Sequence, residues 1–73
     1  MAFIKLTHTG GSVYLNLDNI YSMEETSTTD LTITDNTATS IAYTFASPDE
    51  LAEVVSKLES ILRVIDIDKL AIQ

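Results

Sequence analysis

There is no cysteine in this chain, which removes disulfide staples and thiolate metal cages together. One histidine, His8, cannot by itself build an imidazole cage for a transition metal. Cations are almost as scarce: Lys5, Lys57, Arg63 and Lys69 stand apart from one another against eleven acidic residues, for a net charge of −7. Binding to nucleic-acid phosphates or to anionic lipid needs clustered cations, so neither is expected as a direct partner. No apolar run approaches the roughly 20 residues that cross a bilayer, so no membrane insertion is expected. The first residues lack the basic region and apolar core of a signal peptide, which predicts a cytoplasmic protein, in the host cytoplasm if the source is viral.

What is present fits one small folded domain. Seventy-three residues leave no room for two. A hydrophobic share of 45% and a mean hydropathy of +0.17 argue against disorder. Domains of this size usually need a disulfide, a metal or a second subunit. With the first two removed, oligomerisation is what remains.

Two periodicities meet at Ser47-Pro48-Asp49-Glu50. Before it, short threonine-rich segments alternate at period two. Phe3 to His8, Val13 to Leu17, Ile20 to Thr26, Leu31 to Thr34 and Thr39 to Phe45 read as five strands. Gly10-Gly11 suits a tight turn between the first two. Ile20 and Met23 differ in parity, which a β-bulge in the third strand would reconcile. Connections this short predict an antiparallel meander.

Ser47 has the chemistry of an N-cap, Pro48 that of the first helical position, and Glu50 the spacing of a capping box. Leu51, Val54, Val55, Leu58, Ile61, Leu62 and Ile65 then share one face at 100° per residue. Glu53 with Lys57, and Glu59 with Arg63, have i,i+4 spacing. Beyond Ile65 a continuing helix would turn Asp66 and Lys69 onto the apolar face. The helix is therefore predicted to stop between Leu62 and Ile65. The fold expected is α+β: a five-stranded antiparallel meander with one amphipathic helix on a face. Residues 1–65 form the domain, and 66–73 an extended tail.

No constellation points to catalysis. His8 has neither a nucleophile nor an orienting carboxylate at a recognisable spacing, so it reads as a strand-end surface histidine. Gly10-Gly11 lacks the spacing of a phosphate loop. Asp66-x-Asp68, and Asp18 with Glu24 and Glu25, do not match a calcium loop, and read as solvated surface. No enzyme activity, cofactor or metal is expected. Tyr43 shares parity with Ile41 and Phe45 and belongs to the core. Phe3 and Tyr14 lie opposite the apolar positions of their own strands and become candidate interface residues. The tail supplies three more, Ile67, Leu70 and Ile72, because an alternating apolar segment seeks a sheet edge, its own or a neighbour's. The plainer alternative for the tail is a frayed terminus.

Ile4-Lys5-Leu6-Thr7, then Gly10, Leu15-Asn16, Ile20, the Leu31-Thr32-Ile33-Thr34 strand and Ser47-x-x-Glu50-x-x-Glu53-Val54 form a pattern over about residues 3–60. It resembles that of the small flagellar and swarming-motility protein family of the FlbD/SwrD type. The resemblance implies a cytoplasmic, non-catalytic accessory protein acting through protein contacts. Departures are the Asp35-Asn36 connection where the family has Asn-Gly, Thr39-Ser40-Ile41 where it has basic residues, and the tail beyond Ile65.

The function expected is a small, self-associating, non-enzymatic interaction module, a homo-oligomer that also contacts a protein partner the sequence does not identify. The alternative is an acidic surface mimic, of a kind phages encode, that occupies a basic or nucleic-acid-binding partner. A third reading, a ligand- or ion-binding protein, rests on the acidic pairs alone.

Overall fold

The computed structural model of the protein describes residues 2–69. Five antiparallel strands precede one helix: β1 (Phe3–His8), β2 (Gly11–Asn16), β3 (Ile20–Glu25), β4 (Asp30–Asp35), β5 (Ser40–Thr44) and α1 (Pro48–Leu62). The α+β architecture is the one the periodicities predict. The strands divide, however, into two sheets, β1-β2 and β3-β4-β5. A 3-10 turn, Leu17–Asn19, stands between them, started by Asn16, whose Oδ1 accepts the Asp18 N–H at 3.0 Å. A local side-chain bond of this kind turns the chain before β3 can continue the β2 ladder.

The β1-β2 hairpin runs in register from Phe3 opposite Asn16 to His8 opposite Gly11, so its loop is only Thr9-Gly10. Gly11 adopts φ +126°, with open space where a Cβ would stand. Backbone conformation, not crowding, therefore requires glycine there. His8 Nδ1 accepts the Gly10 N–H at 3.2 Å, and its ring meets Tyr43 edge-on at 4.9 Å. That is a structural post for the strand-end histidine. Thr9 N–H donates to Thr44 C=O at 2.9 Å and joins the hairpin to β5.

In β3 the register shifts between Ile20 and Ser22, leaving Tyr21 as the extra residue. This is the bulge that parity demanded. It lets Ile20 and Met23 both pack on the core and leaves Tyr21 exposed. Hydroxyl pairs cross the ladders at Thr7–Ser12, Thr26–Thr32 and Thr34–Ser40, which gives the threonine enrichment a purpose on the outer faces. The β4-β5 loop closes on Asp35, whose Oδ1 accepts Thr37 Oγ1 (2.7 Å), Thr37 N–H (2.9 Å) and Thr39 N–H (3.1 Å).

Ser47 is the N-cap of α1; its Oγ accepts the Glu50 N–H at 3.2 Å, and Pro48 occupies the first turn. The reciprocal bond of a capping box, from the Ser47 N–H to the Glu50 carboxylate, is not formed among the described residues. Glu53 and Lys57 pair at 3.0 Å. The Glu59–Arg63 pair that the spacing predicted does not form. Arg63 leaves helical geometry as a left-handed C-cap at φ 56°, ψ 49°, with its N–H and that of Val64 both donated to Glu59 C=O.

One core serves both sheets and the helix: Leu6 from the hairpin, Leu31, Ile33, Tyr43 and Phe45 from the second sheet and its exit, Leu51 and Leu58 from α1. No charged or polar residue among those described is buried. The helix does not use its whole apolar stripe. Ile61 is 50% exposed, and Ile65, expected at the end of the stripe, lies beyond the helix and is 71% exposed.

Candidate interaction surface

Phe3 and Tyr14 stand on the outer face of the β1-β2 hairpin, diagonal to one another, because Lys5 is the residue opposite Tyr14 and Asn16 the one opposite Phe3. Both aromatics are more than half exposed. They form one rim of a cleft of about 300 Å³ between hairpin and second sheet, with Ile20 and Ile33 also among its walls and Asp35 at its border. The Thr37 hydroxyl, with the Thr39 and Thr37 amides, holds the Asp35 carboxyl below its ordinary range, so this border stays anionic.

The free edge of β1 is the second part of the surface. Leu17 N–H donates to Ala2 C=O at 2.9 Å, and alternation along an antiparallel ladder then turns Ala2, Ile4 and Leu6 toward β2. The main-chain groups of Phe3, Lys5 and Thr7 face the other way. Among the described residues they have no main-chain partner; the next outward group, Thr9 N–H, is the one that reaches β5. Alongside this edge lies a groove of about 420 Å³ between β1 and α1. Ile4, Leu6, Val54, Leu58 and Ile61 give it an apolar lining, and Lys5 and Lys57 bring positive charge. Half of the chain's four cations thus border one groove.

The third part is the end of α1 and the residues after it. Val64 lines a separate groove of about 240 Å³ with Met23, Leu31 and Val55, on the flank of the helix that faces β3 and β4. Ile65 and Ile67 then lie open to solvent. Of the tail expected to be extended after Ile65, only residues 66–69 are described. Ile67–Lys69 form a 3-10 turn, and Asp66 Oδ1 accepts the Asp68 N–H at 3.0 Å. An aspartate two residues ahead of a free amide is the local signal for such a turn, and it outcompetes extended backbone where no strand lies alongside. Leu70 and Ile72 lie outside the described residues.

The structure thus brings Phe3 and Tyr14 together and leaves Ile67 on a different part of the surface. Residues missed by periodicity are Ile61, Val64 and the outward amides of β1. Ile61 is on the apolar stripe and reads as core; only the position of the helix over the sheets exposes it. No group of three or more histidine, aspartate or glutamate side chains suited to a metal occurs among the described residues. No helix among them is long and apolar enough to cross a membrane. No protein-family model, curated protein or solved structure matches the chain.

Proposed function

We propose that the protein is a small, non-enzymatic interaction module that self-associates. One observation carries this reading. Among the described residues, seven hydrophobic side chains are buried, while eight large ones, Phe3, Tyr14, Tyr21, Ile41, Ile61, Val64, Ile65 and Ile67, are about half exposed or more. A free fold would bury more of its apolar surface, and apolar patches left open on a small domain mark contact sites. The absence of disulfide chemistry supports the same reading, since a second subunit is then the available staple. An accessory role of the flagellar or swarming-motility type, in the cytoplasm, belongs to this proposal and rests on the sequence pattern alone.

Size-exclusion chromatography with light scattering on the full chain tests it. A dimer or higher oligomer is expected at micromolar concentration; a monomer at every concentration sinks the proposal. The acidic-mimic reading draws on the net charge of −7 and on the absence of any buried charge among the described residues. It predicts capture of basic proteins that weakens steeply with salt. Capture that ignores salt, or none, counts against it.

A further inference from the structure

We infer that self-association proceeds by strand addition: the segment beginning Ile65-Asp66-Ile67-Asp68 of one copy pairs with the free edge of β1 in a second copy. The inference rests on the self-association proposed above and names the surfaces it uses. A strand laid along β1 would meet the outward main-chain groups of Phe3, Lys5 and Thr7. Its inward side chains would enter the groove that Leu6, Val54 and Ile61 line. Its outward ones would lie beside Lys5. The alternation of the segment matches on both counts, with isoleucines for the groove and aspartates for the lysine.

Charge complementarity selects this occupant over the other obvious one. Two β1 edges paired antiparallel would bring Lys5 of both copies onto the same short outer face, where like charges near one another are destabilising. The exit from α1 argues for a second copy. Arg63 turns the chain so that Val64 packs on the β3 side of the helix, the flank opposite the β1 groove. To reach its own groove the segment would have to cross back over the helix end. Exchanged between two copies, each segment occupies the other's edge, and a two-fold dimer closes with no edge of β1 left over.

The local cost includes the Ile67–Lys69 turn, whose Asp66–Asp68 bond would be exchanged for ladder hydrogen bonds.

The chain contains no cysteine, so introduced ones report proximity without background. Ile4 lines the groove on the face that Ile67 would enter, so full-length Ile4→Cys and Ile67→Cys variants, mixed and mildly oxidised, are expected to form a disulfide-linked pair containing one chain of each kind. Lys5→Glu should weaken association about two- to fivefold at low salt, and adding Asp66→Lys should restore it. If light scattering shows only monomer, the self-association reading fails and this inference with it. A dimer without the mixed cross-link, or one in which Ile4→Cys links chiefly to itself, overturns the strand exchange alone. So does an Ile4→Cys/Ile67→Cys double variant that closes as a cross-linked monomer.

Discussion

Leu58 and Ile61 lie three residues apart on the same apolar stripe, yet the structure assigns them different jobs. Leu58 is 3% exposed and touches both grooves flanking α1, whereas Ile61 is 50% exposed. Leu58→Ala removes a buried isobutyl group and leaves a void open to those grooves on two sides. Such sites relax in part, so the cost should fall in the lower half of the Leu→Ala range, about 3 kcal/mol. A domain of this length has a total stability of roughly 4–11 kcal/mol, so the midpoint of thermal unfolding should fall by about 12–24 °C. Ile61→Ala removes half-exposed carbon worth about 1 kcal/mol and gains about 0.4 kcal/mol of helix propensity, for a net loss near 0.5 kcal/mol. Urea unfolding followed by far-UV circular dichroism at two protein concentrations separates folding from association. Ile61→Ala should instead make the concentration dependence shallower. Equal losses for the two variants in dilute solution would refute the argument, because both side chains would then belong to one closed core.

Three further outcomes follow from local geometry. Arg63→Gly relieves a left-handed φ of 56° and should raise stability by about 0.5–1 kcal/mol in thermal melts, since glycine meets no Cβ penalty there. Ser47→Ala leaves the Glu50 N–H without its side-chain acceptor and should cost about 1 kcal/mol by urea titration, while Pro48 keeps the helix start in place. Asp35 has its folded-state pKa below the ordinary 3.8, chiefly through the Thr37 hydroxyl. Its contribution is therefore complete above that ordinary value and disappears as pH falls through the folded-state value. Asp35→Asn should flatten the acid limb of a plot of urea midpoint against pH; an unchanged limb would show that the loop does not depend on the carboxylate.

Legibility followed the range of the interaction. The helix start was readable because Ser47, Pro48 and Glu50 act within one turn, and its end because the phase of the stripe breaks after Ile65. The β3 bulge was readable because Ile20 and Met23 had to share a face. Tyr43 and Phe45 were readable as core, but Ile41, of the same parity, is 51% exposed at the end of β5 remote from the helix start. Parity names a face of a strand and does not say how much of that face is covered. The turn at Ile67–Lys69 was not legible from the alternation, because the Asp66 side chain acts at shorter range than a period-two pattern.

Periodicity, capping and turn chemistry determined on their own that this chain is five strands followed by one amphipathic helix. Each of these acts between residues a few positions apart. The unpaired edge of β1 and the placing of Lys5 and Lys57 beside one apolar groove were decided only by the tertiary structure. They depend on how far α1 reaches over two sheets, and a single helix of 15 residues is too narrow to cover both. The apolar surface that it leaves open is where this protein has the means to meet another copy of itself.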